Sequence, residues 1–61
     1  MPIVTVKLLE GRTDDQKRAL IEKVTDAVIE TAVCDRDRVS VVIEEMKLTD
    51  FGKGGVRPCD E

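Results

Sequence analysis

Hydrophobic and polar positions alternate at the start of the chain. In Pro2-Ile3-Val4-Thr5-Val6-Lys7-Leu8-Leu9, Val4, Val6 and Leu8 form one apolar face, while Ile3, Thr5, Lys7 and Leu9 form a mixed one. That period of two, with many β-branched residues, predicts a strand. Gly11 punctuates it, because glycine turns the chain through positive φ at little cost. Thr13-Asp14-Asp15-Gln16 then reads as a capping box, with Thr13 as N-cap and Gln16 reaching back. Asp14 and Asp15 add negative charge where the helix dipole favours it. From about Asp14 to about Val33 the period becomes helical. Leu20, Val24, Ala27, Val28 and Thr31 recur on one stripe, with Ile21 widening it, and Lys17, Arg18, Glu22, Lys23, Asp26 and Glu30 mostly lie opposite.

Cys34-Asp35-Arg36-Asp37-Arg38 is a polar connection to a second strand, Val39 to Met46. Its successive apolar residues Val41, Val42 and Ile43 predict cover on both faces. Two strands joined through one long helix make a βαβ unit, whose strands are expected to be parallel and its crossover right-handed. The stretch from Thr49 to Arg57 carries Gly52, Gly54 and Gly55 and suits a short hairpin or arm. The expected fold is α/β: one domain over residues 1–61, a βαβ subunit with a C-terminal hairpin.

Length sharpens this picture. A chain of 61 residues buries only about 60% of its unfolded surface and usually leans on disulfides, a metal or oligomerisation. With two cysteines, no histidine and no paired-cysteine motif, neither a disulfide framework nor a metal site is expected. A two-stranded sheet with one helix also leaves a face bare, so a homo-oligomer is expected. The net charge of −3 comes from 13 acids interspersed with 10 bases, which offers no cationic face for nucleic acid. Phe51, the one aromatic residue, leaves no stacking platform for single strands. No apolar run is long enough for a membrane span or a signal-peptide core, so a cytoplasmic protein is expected.

Two residues carry candidate chemistry. Removal of Met1 before the small Pro2 would expose a secondary amine. An α-amino group titrates near 7.7–8.0 in model peptides, and a secondary amine starts somewhat higher. An apolar pocket or a nearby cation lowers that value, towards the range where a general base works at neutral pH. Arg12 follows the first strand, where a parallel unit places its ligands, and a guanidinium there can grip a carboxylate with two parallel hydrogen bonds. Other candidates carry less. Gly52-Lys53-Gly54-Gly55 lacks the strand before and helix after that a phosphate loop needs. Cys34 and Cys59 have no histidine to activate them. Glu44 and Glu45 fall on opposite faces of their strand and do not form an acid/base pair.

Met1-Pro2-Ile3-Val4, Leu9-Glu10-Gly11-Arg12-Thr13-Asp14-Asp15-Gln16-Lys17, Val42-Ile43-Glu44-Glu45-Met46 and Phe51-Gly52-Lys53-Gly54-Gly55 together resemble the 4-oxalocrotonate tautomerase family. The likeness spans nearly the whole chain in length, element order and motif spacing. It implies a homohexamer built as a trimer of dimers and a cofactor-free isomerase acting on a carboxylate substrate, a 2-hydroxy-dienoate such as 2-hydroxymuconate. By the same resemblance Pro2 is the general base, Arg12 holds the distal carboxylate, Phe51 walls the pocket and Leu9 supplies a main-chain contact to substrate.

One departure stands out. The best-known members of the family carry a second arginine one residue after the valine that here is Val39, and this chain has Ser40. Serine offers one neutral hydrogen bond where arginine supplies a charge, and losing the charged contact could cost about 1.5–3 kcal/mol. Arg36, Arg38 or Arg57 could supply the missing cation, and Arg38 is nearest in sequence. Lys53 stands where related dehalogenases carry a water-activating carboxylate, which argues against hydrolytic dehalogenation. Ser40 also leaves open a second reading, a non-catalytic oligomeric scaffold or ligand-binding module on the same fold.

Overall fold

The computed structural model describes residues 1–60; residue 61, the last of the expected domain, lies outside them. Strand β1 (Ile3–Leu9) leads through a Gly11 turn into helix α1 (Asp14–Ala32), and strand β2 (Ser40–Met46) follows. The two strands pair in parallel, Ile3 opposite Ser40 through Leu9 opposite Met46. The chain is thus the expected βαβ unit.

Each boundary has a local cause. At the start of α1 the capping box is complete: Gln16 N donates to Thr13 Oγ1 (3.2 Å), and Thr13 N donates to Gln16 Oε1 (2.9 Å). The helix ends at Ala32, one residue before the expected limit, because Val33 turns left-handed at φ 52°. Strand β2 begins at Ser40 rather than Val39. Arg36–Arg38 form a 3-10 turn, and Val39 N closes it by donating to Arg36 O (3.3 Å).

Two further short turns, Leu48–Asp50 and Pro58–Asp60, are too brief to leave a periodic signal. Between them the expected hairpin is a single tight turn. Lys53 and Val56 exchange backbone hydrogen bonds (2.9 and 3.2 Å) around Gly54 at φ 62° and Gly55 at φ 86°. Positive φ at both central positions is the geometry that glycine supplies most readily.

The sheet is covered on one face only. Val4, Val6, Leu8, Val41 and Ile43 are half-buried beneath α1, which lies chiefly over β2. Lys17 from the helix pairs with Glu45 on that face, while Lys7 pairs with Glu44 (4.0 Å) on the other. The two glutamates therefore point opposite ways, as their spacing predicts. The open face carries Ile3 and Val42, 66% and 45% exposed. The expected cover over both faces of β2 is thus absent within one chain.

The helix stripe is also narrower than its spacing predicts. Leu20, Val24, Val28 and Ile29 are half-buried and Thr25 is buried, whereas Ile21, Ala27 and Thr31 remain exposed. The Thr25 hydroxyl meets its need within the helix, donating to Ile21 O (2.7 Å).

Among the described residues no hydrophobic side chain is buried. The radius of gyration is 14.5 Å, with extents of 43 × 24 × 13 Å, whereas a compact chain of this length has a radius near roughly 10.5 Å. An elongated chain with no buried apolar residue has too little burial to offset its conformational entropy. Fully burying side chains such as Ile3 and Val42 against another chain is worth about 1.5–3 kcal/mol each.

Candidate active site

The residues with candidate chemistry divide between the two ends of the sheet. At the amino end, Pro2 is half-buried and its carbonyl accepts a hydrogen bond from Ser40 N (3.0 Å). That bond extends the parallel register by one residue, so Pro2 lies opposite the segment that joins the 3-10 turn to β2. Ser40 is half-buried beside it, and Arg38, last residue of the turn, is exposed.

At the carboxyl end, Leu9 is half-buried and Arg12 exposed, with Gly11 between them at φ 123°. A residue with a β-carbon rarely adopts that angle, so glycine is what lets the chain leave β1 and reach the Thr13 cap with Arg12 in between. Glu10 fastens the corner twice. Its N–H donates to Met46 O (2.7 Å), and its carboxylate accepts from Leu48 N (3.3 Å). The second bond joins the Arg12 loop to the turn Leu48–Asp50, immediately before Phe51. Phe51 is 37% exposed.

Seven residue steps separate Pro2 from Leu9, about 23 Å along a parallel strand. No side chain spans that distance. One chain therefore brings Pro2, Arg38 and Ser40 to one end and Leu9 and Arg12 to the other, and it does not bring the two sets together. The described residues enclose no pocket.

The arginines sort by their partners. Arg18 pairs with Asp15 (3.0 Å), Arg36 with Asp26, and Arg57 with Asp60 (2.8 Å). Arg57 also donates to Thr49 O (3.3 Å), which holds the tail against the turn after β2. Among the described residues Arg12 and Arg38 have no carboxylate partner. Two of the three arginines that could stand in for the missing cation, Arg36 and Arg57, are thus already engaged. Among the described residues Lys17 is the one cation with a clear electrostatic shift: the hydrogen bond it donates to the Glu45 carboxylate raises it above the usual lysine value of 10.5.

Two contacts that shape the site leave little trace in the sequence. Asp26 sits on the polar flank of α1, and nothing local marks it as the partner of Arg36 ten residues later. Glu10 belongs to the Leu9-Glu10-Gly11-Arg12 motif, but its bond to Leu48 spans 38 positions.

A parallel βαβ subunit with one bare sheet face and polar groups at both strand ends defines a class of small assembling α/β protein. The Tautomerase enzyme family model matches residues 2–61. A probable tautomerase of Halalkalibacterium halodurans is 54% identical over 61 residues, covering 100% of both chains. Among solved structures, YwhB, a homologue of 4-oxalocrotonate tautomerase, superposes with a TM-score of 0.94 at 52% identity and 98% coverage of each chain. A heterohexamer 4-oxalocrotonate tautomerase from Chloroflexus aurantiacus J-10-fl superposes with a TM-score of 0.93 at 25% identity, covering 98% of this chain and 97% of that one. The chain belongs to the tautomerase family.

Proposed function

We propose that this protein is a cofactor-independent tautomerase that converts 2-hydroxy-dienoate acids such as 2-hydroxymuconate to their keto isomers. The active form is a homohexamer, a trimer of dimers of single-domain subunits working in the cytoplasm. The observation that carries this reading is the separation of Pro2 and Arg12 at opposite ends of one sheet, in a chain built for assembly. A site that uses both must draw them from different subunits, and a substrate lying between them meets an amine at one end and a guanidinium at the other.

Pro2 acts once Met1 is removed. While Met1 is attached, the Pro2 nitrogen is an amide with no basic lone pair. Met1 is 84% exposed, so packing within the chain does not shield it from removal. The freed amine takes the proton of the substrate's 2-hydroxyl group, the O–H electron pair becomes the C=O bond, the C2=C3 pair moves to C3=C4, and the C4=C5 pair becomes the bond to the incoming proton at carbon 5. Pro2 then returns the proton to carbon 5. Arg12 of a neighbouring subunit holds the distal carboxylate and draws electron density towards that carbon, because charge-assisted pairs are about twice as strong as neutral hydrogen bonds. Leu9 contributes a main-chain contact. Phe51 walls the pocket, and its apolar surface favours the neutral amine. Ser40 offers a neutral hydrogen bond beside Pro2.

The test is the pH dependence of 2-hydroxymuconate ketonisation by protein whose intact mass shows Met1 removed. The expected result is a rate well above buffer that rises through one ionisation near neutrality. Acetylating Pro2 removes the base and is expected to lower the rate by about 10²–10⁴-fold. Unchanged turnover after acetylation would remove Pro2 from the mechanism. Ser40 favours a second reading, a scaffold or ligand-binding hexamer without catalysis, and that reading leads if a free Pro2 gives no rate above buffer at any pH.

A further inference from the structure

We infer that Arg38 is the cation that grips the substrate carboxylate nearest Pro2, so that the site recognises acids by an arginine at each end, Arg38 at the base and Arg12 at the far carboxylate. This rests on the tautomerase reading above and deepens it.

Pairing carries the first part of the argument. Arg18, Arg36 and Arg57 each already hold a carboxylate, whereas Arg12 and Arg38 hold none among the described residues. The two free guanidiniums stand at opposite ends of the sheet. Asp35 and Asp37 flank Arg36 in the same turn, yet neither pairs with Arg38; Asp35 instead offers its carbonyl to Arg38 N (3.0 Å). An exposed arginine without a partner is free to accept an incoming anion.

Position carries the second part. Arg38 lies two residues before Ser40, whose N–H is bonded to the Pro2 carbonyl. Paired strands run about 4.8 Å apart, so a long, flexible arginine rooted one residue before the segment opposite Pro2 can reach groups beside the amine. The root is also fixed. The Arg36–Asp26 ion pair ties the turn to α1, and the Val39 N to Arg36 O bond closes it. An anchored backbone leaves only the side chain's own rotamer freedom to be lost on binding. The planar fork matches a carboxylate in two parallel hydrogen bonds.

A pair of substrates separates the two arginines. 2-Hydroxymuconate has a carboxylate at each end, whereas 2-hydroxypenta-2,4-dienoate keeps only the one beside the hydroxyl group. Arg38→Gln is expected to lower kcat/KM about 10- to 100-fold on both acids. Arg12→Ala is expected to do so on the dicarboxylate alone. Arg38→Lys, which keeps the charge but not the fork, is expected to recover part of the loss and serves as the readout if the glutamine variant does not assemble. Loss on the dicarboxylate alone in Arg38→Gln, or unchanged turnover of both acids by it, overturns the assignment.

A binding arm is independent of turnover. Calorimetric titration with cis,cis-muconate, a dicarboxylate without the hydroxyl group, is expected to give a Kd at least about tenfold weaker in Arg38→Gln than in the unaltered protein. Equal affinity overturns the Arg38 assignment. Absence of turnover in the unaltered protein, with the Kd difference intact, overturns the tautomerase reading and leaves Arg38 as the anion contact of a binding site.

Discussion

The two ends of the sheet are built differently. At the amino end the backbone does the holding: Ser40 N is bonded to Pro2 O, a closed 3-10 turn follows α1, and an ion pair from Arg36 to Asp26 fixes that turn. Pro2 is half-buried there. The carboxyl end is held by a glycine conformation and a side-chain clasp, Gly11 at φ 123° and the Glu10 carboxylate on Leu48 N. Arg12 stays exposed there. A parallel pair of strands puts the start of each strand at one edge and the finish of each at the other. It therefore keeps Pro2, before β1, and Arg12, after it, apart within one chain. The bare sheet face and the separation of Pro2 from Arg12 both follow from that topology.

The carboxyl end depends on one backbone angle, and disturbing that angle gives the larger of two expected effects. No atom lies within 4 Å of where a β-carbon on Gly11 would sit, so Gly11→Ala changes only conformational strain. It is expected to cost about 1–3 kcal/mol of stability, read from the denaturant midpoint. It is also expected to weaken dicarboxylate turnover more than monocarboxylate turnover, because Arg12 follows directly. An unchanged midpoint would mean that the corner does not need positive φ.

The smaller effect belongs to the covered face between the two ends. Glu45 raises Lys17 above its unfolded value of 10.5, so the folded chain holds that proton more tightly than the unfolded one. The stabilisation is complete below pH 10.5 and fades as pH climbs through the higher folded value. Lys17→Met is expected to flatten that alkaline decline in thermal stability and leave the profile near neutral pH similar in shape. A decline of the same steepness in the variant would assign it to other groups.

Much of this architecture is legible in the sequence because it is local. Alternation from Ile3 to Leu9 marks β1, and the Thr13–Gln16 capping box fixes the start of α1 to the residue. Gly54-Gly55 supplies the positive φ of a two-residue turn. Boundaries set by non-periodic structure are less visible. The turn Arg36–Arg38 takes Val39 out of β2, and the exposed Ala27 and Thr31 show that helical spacing alone does not say how wide a covering a two-stranded sheet can offer. The candidate site divides in the same way. Pro2, Arg12, Ser40 and Arg38 each stand out as residues, but their division between two edges follows from parallel pairing. The choice among Arg36, Arg38 and Arg57 follows from ion pairs that cross ten residues or that the tail makes with itself. Motif spacing carries neither kind of information.

The central claim is that each site takes Pro2 from one chain and Arg12 from another, and subunit mixing tests it most directly. Chains acetylated at Pro2 and chains carrying Arg12→Ala are each expected to turn over 2-hydroxymuconate poorly alone. Unfolding them together in equal amounts and refolding them as mixed oligomers gives about a quarter of the sites both intact groups. The account predicts that activity returns to about that fraction of the unaltered protein. A mixture no more active than the sum of its two parents, at the same assembled mass, would contradict it.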